Sequence, residues 1–189
     1  MTESETSESN SPENESPESE RLGSGLPDVQ GVWTRAQLET FLEEALVPIR
    51  LGCHHPSGGL WMVSLWYQYR DGRFYCATGR DSNLAAFLRH SGSVSFEVST
   101  NSPPYMGVRG KGVATLEADE DKQLLGTLLT RYLGGTDSAL ASSLLTEERE
   151  ELAITVEPAR LYTWDFTSRM TDTLENAPAV RRPEPDSPR

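Results

Sequence analysis

The stretch SLWYQYRDGRFYCATGRDSNLAAFLRH, Ser64–His90, decides the fold. Leu65, Tyr67 and Tyr69 alternate with Ser64, Trp66 and Gln68, the period-two pattern of a β-strand. Extended back to Gly59, the run carries large aromatic side chains on both faces, which predicts one strand buried on both sides. Arg70-Asp71-Gly72 is a hairpin signal, because Asp-Gly accepts the positive φ of a tight turn, and RFYCAT reads as the paired strand. The period then changes. Behind Asp81 and Ser82, both good helix N-caps, Leu84, Ala85 and Leu88 form the apolar stripe of a short helix ending near His90.

The same reading extends outward in both directions. Thr34 and Gln37 have the spacing of a capping box, and Leu38, Phe41, Leu42 and Ala45 share one helical face. VPIRLGC reads as a strand, HHPSGG as a turn and SVSFEVST as a strand that Pro103 and Pro104 break. GVRGKGVATLEA is a long strand whose Gly107, Gly110 and Gly112 point to close backbone approach or a bulge. From Asp119 a helix carries Leu124, Leu125, Leu128, Leu129, Tyr132 and Leu133 up to Gly134 and Gly135, and Thr136–Glu150 reads as a loosely helical loop. LAITVEP and ARLYTWDF close the pattern as two strands joined at Pro158. Most neighbouring strands are joined by turns too short for crossover helices. The expectation is therefore a mainly β, α+β protein with peripheral helices: a small antiparallel barrel of six to seven strands.

The ends of the chain differ from its middle. Residues 1–20 carry seven glutamates, six serines and no basic or aromatic residue, and Pro178, Pro183, Pro185 and Pro188 punctuate the other end. With no apolar surface to offset ordering entropy, 1–30 is expected to be a disordered acidic tail and 172–189 a disordered Pro-rich tail, leaving 31–171 as one domain. The net charge is −12, and −5 once the seven tail glutamates are set aside, so neither nucleic acid nor an anionic membrane is an expected partner. With two lysines against fifteen arginines and excess carboxylate, the composition resembles that of a halophilic protein, although a GC-rich genome favours arginine over lysine as well. No stretch resembles a signal peptide or a membrane span, so a cytoplasmic location is expected. Cys53 and Cys76 lack CxxC spacing and are expected to be reduced thiols, buried or half-buried.

Among possible chemistries, Cys53, His54 and His55 are too close together in sequence to converge on a metal, and no metal site is expected. No GxSxG elbow, P-loop or Rossmann turn occurs. The constellation that remains is Thr78-Gly79-Arg80-Asp81-Ser82, where a strand ends and a helix begins. Helix N-terminal amides, two hydroxyls and the Arg80 guanidinium make an oxyanion or phosphate cradle; ordinary capping by Asp81 or Ser82 explains the same residues equally well.

The order SLWYQYRDGRFYCAT, GRDSNLAAFLRH, SVSFEV, PPYMGVRGKGVATL, LYTWDF resembles the pyridoxamine 5′-phosphate oxidase-related superfamily, whose members are split β-barrel flavin and deazaflavin proteins. The resemblance spans roughly Val47–Arg169. It implies a homodimer with FMN, or a deazaflavin nucleotide, at the subunit interface and hydride transfer to a small-molecule substrate. Carried over residue by residue, it implies that Ser64 and Trp66 neighbour the ring and that Thr78, Gly79, Arg80, Ser82 and Asn83 surround the phosphate. Arg109 would add charge from the partner subunit, and Trp164 would be an aromatic against the cofactor region. Relatives carry Arg and Lys after the turn serine, where this chain has Asn83 and Leu84, and many carry Arg where it has Met106. Those departures leave open a non-catalytic scaffold dimer that has lost its cofactor. A haem-binding relative would need a ligand such as His54, His55 or His90.

Overall fold

The computed structural model describes residues 26–171; the expected tails over 1–25 and 172–189 lie outside the described residues. The chain folds into strands β1 (Asp28–Gly31), β2 (Ile49–His54), β3 (Leu60–Leu65), β4 (Gln68–Arg70), β5 (Arg73–Gly79), β6 (Ser93–Ser99), β7 (Met106–Ala118) and β8 (Glu151–Asp165), with helices α1 (Arg35–Glu44), α2 (Asn83–His90), α3 (Gln123–Leu133) and α4 (Ala139–Leu144).

The strands form one sheet in the order β3-β2-β6-β7-β8-β5-β4, antiparallel throughout this path. β5 covers one edge of β8 over Glu151–Val156, and β1 runs parallel along the same edge at Arg160–Thr163. The path does not close on itself, yet it curls. β5 and β6 lie three strand steps apart, about 14 Å on a flat sheet, but the Phe74 and Phe96 rings meet at 4.9 Å between centroids. Leu51, Tyr69, Cys76, Val98, Val108, Ile154 and Leu161 join them in one cluster enclosed by the curl. At Gly110 a methyl group would stand 2.5 Å from the Arg160 carbonyl oxygen and 2.7 Å from the Phe96 ring, so the close approach expected at this glycine is real. The bulge lies beside it, at Lys111/Gly112.

Several local expectations are met. Thr34 and Gln37 form the capping box of α1, whose Leu38 and Leu42 are fully buried. Asp71 and Gly72 both take positive φ in the β4–β5 turn. Gly134 ends α3 in the left-handed conformation, and both cysteines are free and buried.

Other expectations are corrected. There are eight strands rather than six or seven. The aromatic run is not one doubly buried strand: it breaks at Trp66 and Tyr67, and β3 is an edge strand with Leu60, Trp61 and Met62 exposed at 83%, 47% and 70%. The break follows from Tyr67, whose ring drops into the core and whose hydroxyl donates to the Leu42 carbonyl at 3.0 Å. The tail boundary at residue 30 falls inside β1, which pairs with the length of β8 that β5 does not reach. The two closing strands are one, because β7 pairs with β8 on both sides of Pro158 and the bulge absorbs the irregularity.

Candidate functional site

A cleft opens where the break between β3 and β4, the end of β5 and the start of α2 meet the chain leading into β8. It encloses about 700 Å³. α3 forms one wall, and its last turn is anchored by side chains. Arg131 donates to the carbonyls of Leu42, Glu43 and Ala45 at 3.0, 2.7 and 3.0 Å, satisfying acceptors that the C-terminal end of α1 leaves open. The Tyr132 hydroxyl donates to the Val47 carbonyl at 3.2 Å, and its ring stacks on Trp66 with centroids 5.3 Å apart and planes 11° from parallel. Trp66 is thereby fixed as part of an apolar wall with Leu65, Ala77, Leu125 and Leu128.

The polar end of the cleft is the turn Thr78–Ser82. Ser82 caps α2, its Oγ accepting from the Ala85 amide at 3.1 Å, and it lies 2.9 Å from Thr78 Oγ1. The two hydroxyls carry two protons and spend one on each other, so one remains to donate into the cleft. The amides of Asn83 and Leu84, in the first turn of α2, have no intrahelical acceptor. Capping and anion binding are thus compatible at this turn rather than exclusive.

The charge around the turn is where sequence reasoning fell short. Arg80 pairs with Glu150 at 2.6 Å, and its amide donates to the Glu150 carbonyl at 2.9 Å. Arg149 pairs with Glu151, whose side chain is 2% exposed. Arg149 lies against the turn itself, its guanidinium 3.4 Å from where a side chain on Gly79 would begin. Asp81 and Glu148 also line the cleft, so four carboxylates face two guanidinium groups. None of Glu148–Glu151 was singled out from the sequence. The only signal was the run of charges from Glu147 to Glu151, in a segment that read as loop.

Of the predicted residues, Ser64, Trp66, Thr78, Gly79, Arg80 and Ser82 line this cleft. Asn83 is exposed at the first position of α2. Arg109 lies elsewhere, on β7 in an open groove with Arg50, Glu97, Lys111 and Tyr162. Trp164 on β8 packs its ring 5.2 Å from Phe166, and its buried Nε1 has no acceptor among the described residues. No histidine lines the cleft, and among the described residues no three His, Cys, Asp or Glu cluster as metal ligands would. Among the described residues no helix is long and apolar enough to cross a membrane.

The titratable groups near the core are shifted by burial. Burial raises the Cys76 thiol to about 12 and the Tyr69 phenol to about 12, and it raises Tyr67, Tyr132 and Cys53 as well. Asp165 is lowered because its carboxylate accepts hydrogen bonds from Thr167. None of the five raised groups donates a proton at neutral pH.

No family model matches the sequence, and no curated protein matches it either. Solved structures do. The chain is similar to the conserved hypothetical protein Rv2991 from Mycobacterium tuberculosis, at 19% identity and a TM-score of 0.60 over 82% of this chain and 96% of the other. It is similar to an F420 reductase, at 16% identity and a TM-score of 0.56 over 69% and 98% of the two chains. A protein from Listeria innocua assigned as a pyridoxamine 5′-phosphate oxidase matches at 16% identity and a TM-score of 0.52, over 70% of this chain and 97% of that one. The fold is therefore the split barrel of the pyridoxamine 5′-phosphate oxidase-like proteins, as the order of sequence segments implied.

Proposed function

We propose that this chain is a flavin-binding oxidoreductase that holds FMN in the cleft between Trp66 and the Thr78–Ser82 turn, with a deazaflavin nucleotide as the alternative cofactor. The observation that carries the reading is the meeting, in one cleft of about 700 Å³, of an apolar aromatic wall and a turn with a spare hydroxyl proton and a guanidinium. Such a cleft suits a ligand with a flat, largely apolar ring at one end and an oxyanion at the other. Thr78, Arg80 and Ser82 would hold the phosphate, while Ser64, Leu65 and Trp66 would neighbour the ring. A bound flavin supplies hydride transfer, and the protein supplies position and a wall that excludes water. The similarity to an F420 reductase and to a protein assigned as a pyridoxamine 5′-phosphate oxidase supports the cofactor class.

The substrate is a small molecule, and the working form is a homodimer in which Arg109 and Trp164 of the second copy complete the site. Two features support the dimer: those residues stand outside the cleft of their own chain, and β3 exposes Leu60, Trp61 and Met62. A second reading, a scaffold dimer that binds no cofactor, is favoured by the four carboxylates around the turn, since a phosphate dianion is repelled by them.

The deciding experiment is the visible spectrum of the protein purified in molar salt, before and after titration with FMN and with a deazaflavin. Saturable micromolar binding supports the cofactor reading. A folded protein that binds neither refutes it and leaves the scaffold.

A further inference from the structure

Two guanidinium groups face the turn, and both are held by the three-residue segment Arg149-Glu150-Glu151. They are not equally available to a ligand. Arg149 is tied to a carboxylate that is almost fully buried, and pulling it away leaves that charge without a partner in a medium that solvates it poorly. Arg80 and Glu150 are exposed at 46% and 65%, so water screens their attraction and either can be resolvated on separation. Only Arg80 is therefore free to change partners.

We propose that the Glu150 carboxylate competes with a ligand phosphate for Arg80, so that Glu150 is a built-in anion that sets the affinity of the cleft for phosphorylated ligands. This rests on the reading of the cleft as a cofactor site. The Glu150 carboxylate sits 2.6 Å from Arg80 Nε, in direct ion-pair contact, and it lines the same cleft as Thr78 and Ser82. It cannot drift away. The Glu150 carbonyl accepts the Arg80 amide at 2.9 Å, so the side chain stays within reach of the guanidinium even when a ligand has displaced it. A phosphate monoester brings two charges and three acceptor oxygens against one carboxylate, so it wins the exchange, but the exchange lowers its net gain.

The test compares FMN with riboflavin, which has the same ring and no phosphate, so that the ratio of their dissociation constants isolates the phosphate. Both are titrated by flavin fluorescence into the wild-type protein, Glu150→Gln, Arg80→Ala and the double variant. An exposed pair is worth a factor of roughly two to five in an equilibrium constant, so Glu150→Gln is expected to tighten FMN by about that factor and leave riboflavin unchanged. The gain should vanish in the Arg80→Ala background. Flavin binding with an unchanged FMN-to-riboflavin ratio in Glu150→Gln, or a gain that persists without Arg80, overturns the proposal and leaves the cofactor reading standing. Binding of neither flavin to any of these folded proteins overturns the FMN reading, and the proposal with it.

Discussion

Replacing Arg149 by methionine should destabilise the protein well beyond what its half-exposed position suggests. The reason lies in its partner. Glu151 has a side chain that is 2% exposed, and its carboxylate accepts from Arg149. Removing one member of a buried ion pair typically costs about 3–5 kcal/mol, because the other charge is left desolvated and unpaired. Arg149 is itself 42% exposed, so water already screens part of the pair. Discounting the range for that screening leaves a loss of about 2–3 kcal/mol, which for a domain of this size corresponds to a fall in Tm of about 5–10 °C. Methionine keeps the packing of the stem while removing the charge.

The magnitude alone does not isolate the pair, so the assay is a double-mutant cycle read by urea unfolding at pH 7. Glu151→Gln alone leaves Arg149 without a partner but able to reach solvent, at a cost of about 1 kcal/mol. Once the carboxylate is gone, the methionine substitution no longer strands a charge, so the double variant should be no less stable than Arg149→Met alone. The expected coupling is about 1–2 kcal/mol. Strict additivity of the two single changes, or an Arg149→Met protein within about 0.5 kcal/mol of wild type, refutes the argument that Glu151 pins Arg149. It would also return Arg149 to the list of cations available to a phosphate.

Two further outcomes follow from the packing and the buried acids. Gly110→Ala, where a methyl group meets the Arg160 carbonyl and the Phe96 ring, should lower stability by about 2 kcal/mol or more, whereas Gly126→Ala, inside α3 with nothing within 4 Å, should raise it by about 0.5–1 kcal/mol. Thermal unfolding of the two variants separates steric conflict from helix propensity; equal effects would refute the reading of Gly110. The second outcome is alkaline sensitivity. Cys76 and Tyr69 keep their protons to about 12 when folded, but in the unfolded chain they lose them near their ordinary values of 9 and 10. Stability is thus full below pH 9 and falls as pH rises from 9 towards 12, by about 1.4 kcal/mol per pH unit for each group ionised only in the unfolded chain. Urea midpoints between pH 8 and 11 test this, and a flat profile sinks it. Native Cys76 should accordingly resist a thiol reagent at pH 8 and react once the chain is unfolded.

What was legible in the sequence was local. The capping box at Thr34 and Gln37, the Asp71-Gly72 turn, the Ser82 cap and the glycine stop at Gly134 depend on residues within a few positions of one another, and each formed as its chemistry requires. Period-two alternation did not reveal that the aromatic run breaks at Trp66, because the break is decided by Leu42 and Tyr132, far away in sequence. β1 was equally hidden. Four residues of mixed polarity become a strand only because β5 leaves part of the β8 edge uncovered.

The same distinction explains the site. Thr78–Ser82 could be named because strand end, cap and hydroxyls are contiguous, whereas Glu150 and Arg149 reach that turn only through the pairing of β5 with β8, about seventy residues on. Their arrival bears directly on the phosphate cations that Asn83, Leu84 and Met106 do not supply. Arg149 lies against the turn where the proposed phosphate would want such a cation, yet Glu151 holds it. Glu150 meanwhile occupies the Arg80 that the turn does provide. On the proposed cofactor reading, a site with this wiring would gain little affinity from phosphate charge and would draw most of its selectivity from the ring wall of Trp66, Leu65 and Ala77 and from directional hydrogen bonds at the turn. Discrimination among ligands would then follow ring shape rather than net ligand charge.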